Sequence, residues 1–331
     1  MSDLPKTSEE QGQPLDLISI GECMVELYGE QAIEEEPLLR CTVGGDALNV
    51  AVAAARIGGR TGFITRVGED IFAPLLLGRW SAEGVDLSAV KIVAGFNGLY
   101  VITVQPDGER SFTYYRRGDA AATLEPADIP ADYLARARMV HISGITQAIS
   151  PSARAAVRRV LELCAALGVP VSYDPNFRPA LWTPAEARRE LEATLCRVTV
   201  ALPSASVTDE ALWGTMDAEA IARYCLEAGC KVVAVKMGEE GCVVADANVC
   251  EHVPAVTGIT VRDTTGAGDA FDGAFLLALV RGSDVIEAAR LGNLVAAIKC
   301  CGRGALGNLP DADMVRRLWR EKYDDVPPQW L

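Results

Sequence analysis

Asp263-Thr264-Thr265-Gly266-Ala267-Gly268-Asp269-Ala270-Phe271 sets three small residues between two acids, and an apolar run (Ala274, Phe275, Leu276, Leu277, Leu279) begins just after it. The run has helical character, which makes Gly266-Ala267-Gly268 the turn entering a helix N-terminus. Small residues there let successive backbone N–H groups converge, and the helix dipole adds positive potential, so the turn suits an anion. Asp269 then puts a carboxylate beside that anion, which makes electrostatic sense if the carboxylate handles a proton. A glycine-containing helix cap with a first-turn acid would use the same residues without any ligand.

Upstream, strand and helix patterns alternate. A strand over 139–142 precedes a helix over 151–167, a strand over 169–173 precedes a helix over 184–195, and a strand over 198–202 precedes a helix over 217–228. A strand at 231–236 and a β pair at 241–245 and 251–253 follow. Near the start, 16–21 reads as a buried first strand, 50–57 as a helix, 61–67 as a strand and 72–83 as a helix. Alternation of this kind implies an α/β fold, a mostly parallel sheet covered on both faces, with ligands at the carboxyl ends of its strands. Four β segments lack helices: 23–28, 38–43, 98–105 and 110–116. The last two flank Pro106-Asp107-Gly108-Glu109, a hairpin signal. They predict a small β-sheet lid, inserted as two excursions at about 22–43 and 97–117, on one domain spanning 15–325. Residues 1–14, polar and acidic, read as a disordered tail.

The 331 residues carry a net charge of −14, which argues against a nucleic-acid surface and requires any anionic ligand to be met by local cations or amides. The ten cysteines form no CxxC pair and only two histidines, His141 and His252, are present, so a zinc site is not expected. Buried free thiols in a reducing, cytoplasmic setting are the expectation. No apolar segment is long enough to span a membrane.

Further constellations fall at strand ends. Gly44-Gly45, with Asn49 one turn into a helix, would admit a hydroxylated ligand close to the backbone, or simply make a tight turn. Asp174-Pro175-Asn176-Phe177-Arg178 places Arg178 where it can hold an anion bidentately, or pair on the surface. Strand alternation gives Tyr114 and Arg116 one face and Tyr115 and Arg117 the other. Lys236-Met237-Gly238-Glu239-Glu240-Gly241 ends a strand in a turn that brackets phosphates or serves as a plain hairpin.

These segments, in this order, resemble the ribokinase-like (PfkB) family of carbohydrate kinases over residues 16–310. Gly44 to Asn49 and Asp263 to Asp269 are the most specific landmarks. The resemblance implies ATP and Mg²⁺, with room for a monovalent cation, and a homodimer formed through the lid. It makes Asp269 the base that deprotonates a sugar hydroxyl, and the backbone of Gly266, Ala267 and Gly268 the anion hole for the γ-phosphate. It places Lys236, Gly238, Gly241, Asn293, Asn176 and Ser204 on the nucleotide. Within the family the likeness is greatest to 2-keto-3-deoxygluconate kinases, through Gly98-Leu99-Tyr100, Tyr114 to Ala121, His141 to Ile145 and Asn176 to Pro179. Residues matching Gly45, Tyr100, Tyr114, Arg116 and Arg178 contact the sugar acid there. Two arginines suit a carboxylate, since a buried charge left unpaired costs roughly 3–5 kcal/mol.

Two departures stand out. The stretch 202–210 lacks the Asn-x-x-Glu segment that organises Mg²⁺ in many members, leaving Asp209 or Glu210 as substitutes acting through water. Asp119 stands where a small neutral residue is usual, and beside a substrate carboxylate it would repel unless Arg116 or Arg117 neutralised it. The alternatives are a fructokinase, a 5-dehydro-2-deoxygluconate kinase (suggested by 25–31) or a non-catalytic sugar-binding protein on the kinase fold.

Overall fold

The computed structural model describes residues 12–29, 38–104 and 110–331. Most of the expected tail, the acidic run at 34–36 and the expected hairpin turn at 106–109 lie outside them.

In chain order the strands and helices are β1 (Leu15–Ile20), β2 (Met24–Tyr28), β3 (Arg40–Gly44), α1 (Asp46–Arg56), β4 (Thr61–Gly68), α2 (Ala73–Ala82), β5 (Val90–Val93), β6 (Gly98–Val104), β7 (Arg110–Tyr115), α3 (Ala131–Leu134), β8 (Ala137–Ser143), α4 (Gly144–Ile149), α5 (Pro151–Leu167), β9 (Val171–Asp174), α6 (Pro184–Leu195), β10 (Val200–Ala201), α7 (Val207–Trp213), α8 (Ala218–Glu227), β11 (Val232–Lys236), β12 (Cys242–Ala245), β13 (Cys250–Val253), α9 (Ala267–Val280), α10 (Val285–Cys300) and α11 (Ala312–Tyr323). Nine strands form one sheet in the order β13-β12-β11-β10-β9-β8-β1-β4-β5. It is parallel from β11 through β5 and antiparallel at β11-β12-β13. Every residue of β1 is buried, as expected of a strand covered on both faces.

Apolar clusters fill both faces. One packs α1, α9 and α10 on the sheet, and the other packs α5, α6 and α8 on the opposite side. The second group of helices is set by local signals. Ser150 caps α5, which ends at Gly168 in the left-handed region, and Thr183 with Glu186 forms a capping box on α6. The lid is a separate four-stranded sheet in the order β3-β2-β6-β7, with β2 and β6 parallel and the outer pairs antiparallel.

Several boundaries move. The first helix starts at Asp46 rather than residue 50, because Gly45 at φ 142° turns the chain directly into it. A Cβ at Gly45 would lie 2.5 Å from the Glu22 carbonyl oxygen, so only glycine fits. β10 shrinks to two paired residues. Among the described residues no helix is long and apolar enough to cross a membrane. Five of the ten cysteines are buried as expected, whereas Cys41, Cys196 and Cys250 are exposed on a lid edge, a helix end and the outer strand β13.

Candidate active site

Parallel strands deliver their carboxyl ends to one edge of the large sheet, and the lid stands over that edge. Two cavities meet there. The larger, about 460 Å³, is bounded by Lys236, Gly238, Gly241, Asn293, apolar Val256, Ile259 and Phe271, and by Thr264, Ala267 and Gly268. The smaller, about 150 Å³, lies under the lid and takes its charge from Glu22, Asp46, Arg116, Arg178 and Asp269. Thr265, Gly266 and Asp269 line it. The turn at 264–269 is thus a wall shared by both cavities.

Gly266 caps α9 at φ 74°, and a Cβ there would stand 3.0 Å from the Ala305 carbonyl oxygen. The Ala267 amide closes the turn onto the Thr264 carbonyl at 3.0 Å. Among the described residues no acceptor takes the amides of Gly268 and Asp269. The open donors of the expected anion hole are therefore shifted one residue into the helix, with the positive end of its dipole behind them.

Asn49 Nδ2 donates to Asp269 Oδ2 at 2.7 Å, joining α1 to α9 across the cavity. Burial, helped by the negative charge of Asp46 and opposed by the Asn49 hydrogen bond, pushes the Asp269 carboxyl up to about 7. A carboxylate tuned to neutrality at a helix N-terminus can accept a proton from a neighbouring hydroxyl at ordinary pH.

Tyr114 and Arg116 share a face as alternation requires. The Arg116 guanidinium lies 4.6 Å from the Tyr114 ring centroid, and both line the smaller cavity. Arg116 is already paired, donating to Glu22 Oε1 at 2.6 Å. Burial is the main cause that pushes the Glu22 carboxyl up to about 8, with Arg116 pulling it back. Arg178 makes no ion pair among the described residues and donates only to the neighbouring Phe177 carbonyl, at 3.2 Å. Tyr100 lines the cavity, but its hydroxyl donates to Glu26 Oε2 at 2.6 Å. Glu22 and Asp46 were not singled out from sequence. The signal available was position, since Glu22 follows the carboxyl end of β1 and Asp46 completes Gly44-Gly45-Asp46.

Other expectations need correction. Asn176 lines the smaller cavity beside Arg178, not the larger one, because its φ of 39° folds the chain back after β9. Ser204 lines neither; it bridges to Lys236 along the sheet. Asp119 is buried away from the smaller cavity, where its Oδ1 accepts the Ala122 amide at 2.8 Å. Burial there pushes it up to about 6. The acid that lines the smaller cavity beside Arg116 is Glu22 instead.

Lys236 Nζ sits 2.8 Å from both Asp174 Oδ2 and Asp272 Oδ1. Burial alone would lower its ammonium, but the two carboxylates outweigh it and hold it above the usual range. Asn293 Nδ2 pins the larger cavity's rim by donating to the carbonyls of Val253 and Pro254 at 3.0 and 3.1 Å. Of the two acids after β10, Asp209 is buried, takes a 2.6 Å hydrogen bond from Ser206 and lies within electrostatic reach of Asp174, Arg178 and Lys236. Glu210 is exposed. Among the described residues no group of three or more His, Cys, Asp or Glu could hold a metal.

Residues 15–312 match the profile of the pfkB family carbohydrate kinases. The chain is 34% identical over 300 residues to the 2-dehydro-3-deoxygluconokinase of Escherichia coli strain K12, covering 87% of this chain and 95% of that one. It is 31% identical over 311 residues to fructokinase-2 of Solanum lycopersicum, with 89% and 93% covered. A chain from E. coli, crystallised in complex with ATP and Mg²⁺, shares its ribokinase-like fold with a TM-score of 0.85 at 25% identity, over 93% of this chain and 99% of that one. With its two cavities meeting at one helix-entry turn, its covering lid and these relatives, the chain belongs to the pfkB family of carbohydrate kinases.

Proposed function

We propose that this chain transfers the γ-phosphoryl group of ATP to a terminal hydroxyl of 2-keto-3-deoxygluconate, also called 2-dehydro-3-deoxygluconate. The observation that carries the reading is the shared wall. Thr264, Ala267 and Gly268 face a cavity of nucleotide size, and Thr265, Gly266 and Asp269 face a smaller one with charged walls. This turn is the wall across which a group bound in one cavity would be passed to an acceptor in the other.

In this mechanism Asp269 takes the proton of the attacking hydroxyl while Asn49 fixes the carboxylate's orientation. The amides of Gly268 and Asp269, with the α9 dipole, stabilise charge on the group in transit. Gly45, Asn49 and Tyr114 border the sugar, with Tyr100 shaping the cavity from the lid; Gly44, expected beside them, does not line this cavity and backs onto the Tyr100 hydroxyl instead. Arg178 meets the substrate carboxylate, because its guanidinium is uncommitted. Gly238, Gly241 and Asn293 bound the nucleotide, and Lys236 holds Asp174 and Asp272 in place. Mg²⁺, when bound, would supply charge neutralisation for the phosphates, and Asp209, buried within electrostatic reach of Asp174 and Lys236, would be the residue to hold its water. The exposed lid side chains Phe112 and Tyr115 are suited to bury against a second copy. Sedimentation of the purified chain tests that dimer.

A fructokinase is the second reading. Glu22 already occupies Arg116, leaving one free guanidinium where a sugar acid could have used two. A coupled assay of ADP release across a panel of sugars and sugar acids separates the two readings. The proposal expects 2-keto-3-deoxygluconate to lead the panel, and a lead for fructose removes it.

A further inference from the structure

A buried cation lies behind the shared turn, and neither cavity reaches it. Lys299 belongs to α10, is 0% exposed, and its Nζ donates to the Asp263 carbonyl oxygen at 3.1 Å. Asp263 opens the turn. Its carboxylate accepts the Thr265 amide at 2.9 Å and the Gly304 amide at 2.7 Å, while its own amide and that of Arg262 donate to the Cys300 carbonyl. The next amide, Ala305, donates to Glu26 Oε2 at 3.0 Å, the same oxygen that accepts the Tyr100 hydroxyl. The Ala305 carbonyl in turn stands against Gly266. One hydrogen-bonded chain thus runs from Lys299 through the turn and 304–305 to the lid strands β2 and β6.

The chemistry of this cluster requires a positive charge. Asp263 and Glu26 are both 0% exposed. Burial works against the ionised form of each. For Asp263 the hydrogen bonds from Thr265 and Gly304 and the charge of Lys299 prevail and hold the carboxyl below its ordinary value. For Glu26 burial prevails and raises it, with Lys299 opposing. A buried carboxylate without a counter-charge would be costly, and a turn whose carbonyl points inward needs a donor or a cation to meet it.

We propose that the Lys299 ammonium does for the anion-binding turn what a bound monovalent metal ion would otherwise do, so that this chain works without K⁺ or Na⁺. The inference rests on the phosphoryl-transfer reading of the 264–269 turn. A monovalent ion is what family likeness left room for, and the residues do not fit one here. An inorganic cation gathering the Asp263 carbonyl and carboxylate would have to displace a lysine already hydrogen-bonded there. Lys299 is a positioning residue, since it touches neither cavity.

The test uses the full chain in tetramethylammonium buffers at constant ionic strength, adding K⁺, Na⁺ or NH₄⁺. For the wild type, the sugar-dependent rate and the Tm are expected to change less than about twofold and about one degree, because the cation is built in. Lys299→Ala is expected to lose about 10²-fold in kcat with a smaller change in KM for ATP, the loss of a positioned anion-stabilising site. K⁺, NH₄⁺ or methylammonium should restore at least about tenfold of it and raise the variant's Tm. A wild type accelerated tenfold by K⁺ overturns the proposal, as does a folded Lys299→Ala chain with unchanged kcat. Loss of kcat that no cation restores also overturns it. If Lys299→Ala does not fold, the wild-type arm decides alone. If no sugar is phosphorylated by the wild type, the phosphoryl-transfer reading has failed instead. The Tm responses and calorimetric ADP binding, with and without K⁺, then still decide the cation question.

Discussion

Replacing Asp269 with Asn separates chemistry from folding, because ionisation of this carboxyl should raise turnover and lower stability as pH increases. The carboxyl is pushed up to about 7 from an ordinary 3.8, with burial as the leading cause and the Asp46 charge second. Because the folded-state value is the higher one, the ionised form is disfavoured in the fold. The penalty is absent below about pH 4, grows as pH rises and is complete above about pH 7. Three pK units correspond to about 4 kcal/mol as an upper bound. The side chain is partly open to the cavity, so solvent relieves part of this and about 1–3 kcal/mol is expected. Asp269→Asn should therefore raise Tm by a few degrees at pH 8 and leave it unchanged near pH 4. The same change should lower kcat by about 10²–10⁴-fold, the range for a lost general base, with calorimetric sugar binding retained. Wild-type kcat should climb through a pKa near 7. A variant within tenfold of wild-type kcat, or one whose Tm gain does not grow with pH, would refute the assignment.

Arg178→Ala should raise KM for 2-keto-3-deoxygluconate about 10²-fold while moving KM for fructose less than about threefold, measured in the same coupled assay. Equal shifts would place the carboxylate elsewhere. Asp119→Asn should leave KM for the sugar acid within about twofold, because Asp119 holds the Ala122 amide away from the cavity. Lys236→Met should destabilise by about 3–5 kcal/mol in urea unfolding, since it strands Asp174 and Asp272 without their shared cation. Adding Asp272→Asn should recover part of that loss; no recovery would show that the lysine's packing mattered more than its charge.

Much of the architecture was legible because parallel strands and their helices leave strong local marks. The helices over 151–167 and 184–195 fall where the sequence placed them, each with a Ser or Thr cap and a Pro at its start. α10 escaped because it is apolar around most of its circumference, so no amphipathic stripe announces it. The same burial hid Lys299, which reads as a polar residue in an apolar helix until its tertiary partner is seen. Of the candidate residues at strand ends and in glycine turns, Asp269, Asn49, Arg178, Tyr114 and Arg116 all line the smaller cavity. Partners were not. That Glu22 takes Arg116, Glu26 takes Tyr100 and Asp119 caps a turn are long-range pairings that local spacing cannot encode. Asn176 turns to the smaller cavity through its positive φ, and Ser204 is kept from both by its bridge to Lys236, neither of which local spacing reveals.

Phosphoryl transfer from a nucleotide in one cavity to a sugar acid in the other is tested most directly by kcat/KM for 2-keto-3-deoxygluconate against fructose. ATP and Mg²⁺ are held saturating and the product is followed by ³¹P NMR. A single uncommitted guanidinium facing the substrate carboxylate predicts a preference of about 10²-fold or more for the acid, with a new phosphomonoester resonance. An equal or greater kcat/KM for fructose, or ADP formation with no phosphorylated sugar, would contradict it.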